Sequence, residues 1–211
     1  MGRRFDAVLF DFSGVVTTSA FGLMAALGEA GGHSREEVLD LLLGPYDRDT
    51  DHPWHRVERG ELSMMEFGAW LGTEAQARGI TLTPSEGGLL SGMVPQEPVV
   101  AAIRRLRADG YKTGLVTNNA FELQNRWRSL VPLDELFDTV VDSCEVGVRK
   151  PDPRIFELTL ERLGVQASRA VFLDDHPGNI AGAEAAGVVG ILVPEDDPEP
   201  ALVELDRLLA G

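Results

Sequence analysis

The first two strand-like runs of this chain lie more than a hundred residues apart, and that gap constrains the fold more than any other feature. Apolar, β-branched runs occur at 7–10, 114–116, 139–141, 170–173 and 188–193, each closed by a polar or glycine-containing turn. They are continuously apolar rather than alternating, the pattern of parallel strands covered on both faces. Helical segments separate them. One opens with Pro98 and stops before Gly110, a second runs from Pro153, behind Asp152, to Gly164, a third spans 177–186 before Gly187, and a fourth covers 201–209. Proline at the first helical position and glycine just past the last is the expected punctuation. Strands alternating with helices predict an α/β fold: a three-layer, Rossmann-like, doubly wound parallel sheet.

A βαβ crossover needs about 30 residues, so most of the segment between the first and second strands is surplus. Residues 16–93 carry three candidate capping boxes, Ser34…Glu37, Ser63…Glu66 and Thr83-Pro84…Glu86, each able to satisfy free N–H groups at a helix start. Met64, Phe67, Leu71 and Ala75 fall at helical spacing. The expected organisation is therefore a core of residues 1–15 and 94–211 with an all-helical domain, 16–93, inserted after the first strand. Trp54 and Trp70 are expected in the core of that insert. The acidic, proline-rich stretch 194–200 reads as a surface turn.

Composition narrows the function. With 34 acidic against 19 basic residues the net charge is −15, a field that repels phosphate backbones and anionic lipids, so neither nucleic acid nor a membrane is expected as partner. No run approaches the length of a membrane span. The single cysteine, Cys144, has no internal partner, and the chain runs from Met1 almost directly into a strand, together suggesting a cytoplasmic protein. Only Lys112 and Lys150 are lysines among the 19 basic residues, so a lysine at a strand end stands out.

Four polar points lie at or near the carboxyl ends of the expected strands, where open parallel sheets bind ligands. They are Asp11, Thr117, Lys150 and the pair Asp174-Asp175. Each has a local alternative: Asp11 as a turn residue, Thr117 as N-cap of a helix through 120–129, Lys150 as a solvated loop residue, and the carboxylate pair as cap of the helix at Pro177. Together they suit phosphoryl transfer to a carboxylate, because an anionic nucleophile approaching a phosphate needs fixed cations to offset repulsion.

The order and context of these points resemble the four motifs of the haloacid dehalogenase-like (HAD) hydrolases, in the subfamily with a helical C1 cap after the first motif. The stretch 142–153 followed by Phe172-Leu173-Asp174-Asp175 looks most like the N-terminal phosphatase domain of soluble epoxide hydrolase and its bacterial relatives. The resemblance implies a small phosphorylated substrate and Asp11 as the nucleophile. It implies Mg²⁺ held by Asp11, the backbone carbonyl of Ser13, and Asp175 with or without Asp174. Thr117 and Asn118 would receive the phosphoryl oxygens, Lys150 would neutralise the nucleophile and phosphate, and Asn179 would orient the loop of the carboxylate pair or lie as an amide on the helix surface.

The pattern breaks at Ser13, where family phosphatases carry the aspartate that protonates the leaving group. A serine hydroxyl cannot exchange a proton at useful pKa, and losing a general acid–base costs about 10²–10⁴ in rate. Three readings follow: a slow or narrow Mg²⁺-dependent phosphatase, a pseudo-enzyme that binds a phosphorylated ligand, and, more weakly, a 2-haloacid dehalogenase. Dehalogenases carry tyrosine at this position and use no metal. Phosphonate-cleaving relatives need a cap lysine, and 16–93 contains none. A substitute acid could come from the segment 46–56, with His52 and His55, or from His176; as loop residues these histidines are expected at the surface.

Overall fold

In the computed structural model, residues 3–83, 92–195 and 197–211 are described. The first strand, β1 (Ala7–Phe10), is followed by four helices: α1 (Ala20–Ala26), α2 (Arg35–Leu43), α3 (Pro53–Glu58) and α4 (Met64–Arg78). Then come α5 (Glu97–Ala108), β2 (Lys112–Thr117), α6 (Gln124–Trp127), α7 (Leu133–Leu136), β3 (Thr139–Asp142) and α8 (Ser143–Val146). The chain ends with α9 (Pro153–Leu163), β4 (Ala170–Asp174), α10 (Pro177–Ala185), β5 (Val189–Leu192) and α11 (Glu199–Ala210). All five strands are parallel, in the order β3-β2-β1-β4-β5.

Both faces of the sheet are covered, as the uninterrupted apolar runs require. In β1, Val8 and Phe10 point into the core shared with Val100, Ile103 and Leu106 of α5 and Leu202 and Leu205 of α11. Ala7 and Leu9 point the other way, toward Ile155, Phe156 and Leu160 of α9 and Ala183 of α10. The order reverses at β1, whose neighbours β2 and β4 are reached by crossovers in opposite directions, so a crevice opens at the carboxyl ends of β1 and β4.

Between β1 and α5 the described chain is helical. Two of the three expected capping boxes form: Ser34 accepts from the Glu37 N–H while Glu37 accepts from the Ser34 N–H, and Ser63 and Glu66 do the same. The third, at Thr83-Pro84…Glu86, lies outside the described residues. Trp54 and Phe67 are buried against each other, with Trp70 packed on Phe67 and on His52. The two crossings of the chain between β1 and these helices run side by side: Thr18 N–H bonds the Val94 carbonyl, and the Gln96 side-chain amide donates to the carbonyls of Gly14, Val15 and Thr17.

The local alternatives for Thr117 and for the carboxylate pair do not form, and two expected boundaries shift. No helix runs continuously through 120–129: a 3₁₀ turn, Phe121–Leu123, precedes the single turn of α6, and Thr117 is the last residue of β2 rather than a cap. The helix at Pro177 is capped by His176, whose Nδ1 accepts from the Gly178 N–H, not by the carboxylate pair. The expected surface turn 194–200 already enters α11 at Glu199.

Candidate active site

Sheet register delivers the carboxylates. Phe10 stands beside Leu115 and Leu173, and the Asp11 N–H bonds the Leu173 carbonyl, so Asp11 leaves β1 next to the end of β4. Lys150 arrives from the loop before α9. Its ammonium lies 2.7 Å from Asp11 Oδ1 and 2.8 Å from Asp174 Oδ2, with all three groups buried. Two contacts fix that loop. The Asn118 amide donates to the Lys150 carbonyl and accepts from the Lys150 N–H, at 3.0 and 2.8 Å. On the other side α10 packs so close that a Cβ on Gly182 would overlap the Pro151 carbonyl.

Asp174 is heavily engaged. Besides Lys150 it accepts from the His176 N–H and from the side-chain amide of Asn179, which is buried rather than on the helix surface. Asp175 takes a 3.4 Å contact from the Ser19 hydroxyl. Asp11, Asp174 and Asp175 each present an oxygen within 4.8 Å of the others. Three carboxylates against one ammonium leave two negative charges uncompensated, the charge of one divalent cation. The imbalance shows in the titration: burial and the neighbouring carboxylates raise Asp11 well above the usual range, despite Lys150, and push Asp175 up to about 7. Burial alone would lower Lys150, but Asp11 and Asp174 hold it above its ordinary value.

Gly14 makes the close approach possible. It has φ of 85°, and a Cβ there would overlap the Asp175 carboxylate. Gly14→Ala is expected to cost at least about 1–3 kcal/mol from the left-handed backbone alone and to displace Asp175. Urea denaturation measures the first effect, and a weaker rise of melting temperature with Mg²⁺ the second.

Asp11, Ser13, Thr117, Asn118, Asp175 and Asn179 all line one cavity of about 60 Å³, with Lys150 and Asp174 buried beneath it. That is room for a few waters or a tetrahedral anion. Thr117, buried at the end of β2, faces it. Ser13 is occupied differently: its hydroxyl accepts from the Ala20 N–H at 2.9 Å, steadying the start of α1. The far wall comes from the helical segment, chiefly Phe21, Met24, Leu43, Tyr46, Trp54 and Glu58.

The histidines are not surface loop residues, because each is used to hold backbone. His55 is fully buried, its Nδ1 accepts from the Thr50 N–H, and burial with Arg149 nearby pushes it down to about 3. His52 caps α3 and His176 caps α10, and burial lowers both. None of the three lines the cavity among the described residues. Sequence reasoning missed a buried cluster that does reach it. Arg149 Nε donates to Glu58 Oε2 at 2.7 Å, while Glu58 Oε1 accepts from the Tyr46 hydroxyl and the Trp54 indole, both at 2.9 Å. The partners Glu58 and Arg149 are 91 residues apart, and the only hint was that Arg149 adjoins Lys150.

Known proteins place this geometry. The family model described as haloacid dehalogenase-like hydrolase matches residues 5–187. The chain is 38% identical over 216 residues to acyl-CoA dehydrogenase family member 10 of Mus musculus, covering 99% of this chain and 19% of that protein. It is 30% identical over 212 residues to bifunctional epoxide hydrolase 2 of Mus musculus, covering 89% and 37%. The chain thus spans a fraction of both relatives. A glyceraldehyde 3-phosphate phosphatase of Methanopyrus kandleri is 34% identical over 125 residues, 54% of this chain and 53% of that one. Among solved structures, a predicted HAD-like family hydrolase from Porphyromonas gingivalis superposes with a TM-score of 0.68 at 26% identity, covering 97% of this chain and 98% of that one. From residue 5 to residue 187, with its parallel sheet and the carboxylates and lysine gathered at the sheet's carboxyl edge, the chain belongs to the haloacid dehalogenase-like hydrolases.

Proposed function

We propose that this hydrolase is a Mg²⁺-dependent phosphatase acting on a small phosphorylated metabolite through an aspartyl-phosphate on Asp11. The observation that carries the reading is the buried Asp11–Lys150–Asp174 chain beside Asp175, under a cavity the size of a phosphate group. Asp11 would attack phosphorus. Lys150 would offset the repulsion between that carboxylate and the incoming anion as a compact point charge. The Thr117 hydroxyl and the backbone N–H of Asn118 would receive the equatorial oxygens, since the Asn118 side chain is spent on Lys150.

The donor set fits Mg²⁺, which prefers oxygen ligands and a few carboxylates. Asp11, the Ser13 carbonyl and Asp175 would hold it, while Asp174 turns its oxygens to Lys150, Asn179 and the His176 N–H and so acts as the orienting carboxylate. When bound, the ion would neutralise charge on the phosphoryl oxygens as a Lewis acid. Hydrolysis of p-nitrophenyl phosphate with Mg²⁺, lost in EDTA and recovered on adding Mg²⁺ back, is the expected result; halide release from a 2-haloacid without metal would contradict it.

One observation favours a second reading. Ser13 offers no proton at neutral pH and its hydroxyl is committed to Ala20, as in a module that binds a phosphorylated ligand without turning it over. A melting temperature raised by inorganic phosphate and Mg²⁺, with no hydrolysis of any ester, would favour that module.

A further inference from the structure

A phosphatase without the usual aspartate at position 13 needs its leaving-group proton from elsewhere, and the helical wall of the cavity offers two candidates, Tyr46 and Glu58. Glu58 is the poorer one. It is buried and accepts three hydrogen bonds, one of them from the buried Arg149 guanidinium at 2.7 Å, so both its oxygens are already engaged as acceptors. Tyr46 carries a proton and is held firmly. Its hydroxyl donates to Glu58 at 2.9 Å, its ring meets Phe21 and His176 edge-on at 5.3 Å each, and the Arg149 guanidinium carbon lies 4.8 Å from the ring centre. Tyr46 shares the lining of that cavity with Asp11 and Asn118, so the helical wall and the nucleophile border the same space.

We propose that Tyr46 is a catalytic residue that gives and retrieves the proton Ser13 cannot, an assignment resting on the phosphatase reading. In the first step an Asp11 oxygen bonds to phosphorus, the bond from phosphorus to the ester oxygen breaks, and the departing alkoxide takes the Tyr46 proton. In the second, the Tyr46 phenolate takes a proton from water while the water oxygen bonds to phosphorus. The bond from phosphorus to Asp11 breaks, releasing phosphate and restoring carboxylate and phenol. Arg149 offsets the transient phenolate charge, and Glu58 is the positioning residue that fixes both. Burial and Glu58 keep the phenol above its ordinary range, so it rests protonated, and an alkoxide is basic enough to take its proton.

The test compares n-butyl phosphate, whose alkoxide needs an acid, with p-nitrophenyl phosphate, whose phenolate does not. Tyr46→Phe keeps the ring and should lower n-butyl phosphate turnover by about 10²–10⁴-fold. With p-nitrophenyl phosphate it should keep a first-turnover burst of p-nitrophenol and slow only the later turnovers. Adding Ser13→Asp to Tyr46→Phe should restore most of the n-butyl phosphate activity. Equal loss of the first turnover with both esters, or no loss with either, overturns the assignment. So does an n-butyl phosphate gain of about 10²-fold from Ser13→Asp in the otherwise wild-type chain, which would mean that no acid was working there. A wild-type protein that hydrolyses neither ester removes the phosphatase reading, and this assignment with it.

Discussion

Asp11→Asn is expected to abolish ester hydrolysis, by at least about 10⁴-fold, because a nucleophile acts as one member of a unit whose loss is not made up by the others. The fold should survive and become no less stable. Asp11 is a buried carboxylate crowded by Asp174 and Asp175, and Lys150 keeps Asp174 as partner at 2.8 Å after the substitution. Melting temperature measured beside turnover separates the two effects: lost activity with an unchanged or higher melting temperature is expected. Residual hydrolysis within tenfold of wild type would show that water attacks phosphorus directly.

Arg149→Met is expected to carry the largest cost in stability. Glu58 would be left as a buried carboxylate without its guanidinium, and breaking a buried pair this way costs about 3–5 kcal/mol. Removing both partners, as Glu58→Gln with Arg149→Met, should recover a good part of that loss, since the uncompensated charge goes too. The exposed pair Arg105–Asp206, 2.5 Å apart with both side chains about half exposed, is the control; Arg105→Ala should cost about 0–1 kcal/mol. Urea unfolding of the three variants beside wild type checks the ordering. The pair ties the helical wall to the core, since Glu58 belongs to α3 and Arg149 to the loop before α9.

Much of this molecule is legible along the chain because its information is local. Continuous apolar runs mark parallel strands, and Pro153 with Gly164 delimits α9 to the residue. Ser34 and Ser63 mark helix starts with the glutamates three residues on. Asp11, Lys150 and Asp174 were readable as a set because each lies at or beyond the carboxyl end of a strand, and a parallel sheet brings strand ends together whatever lies between them. Thr117 kept an alternative as a cap because a threonine before a polar turn offers the same local signal at a strand end and at a helix start; it ends β2. The histidines were misread for a related reason. Sequence shows that they lie near turns, but not that His52 and His176 each accept a backbone N–H in the turn they begin. The cluster of Tyr46, Glu58 and Arg149 was invisible because its members meet only once the helical segment folds back over the sheet edge. Nothing in a single chain position announces a partner 91 residues away.

Acid-quenching the enzyme within its first turnover of p-nitrophenyl phosphate and Mg²⁺, followed by mass spectrometry of the peptide that carries Asp11, tests the covalent route most directly. Phosphate on Asp11, with p-nitrophenol released ahead of inorganic phosphate and neither seen in EDTA, is the predicted result. Mg²⁺-dependent hydrolysis in which p-nitrophenol and phosphate appear together, and Asp11 never carries phosphate, would contradict it.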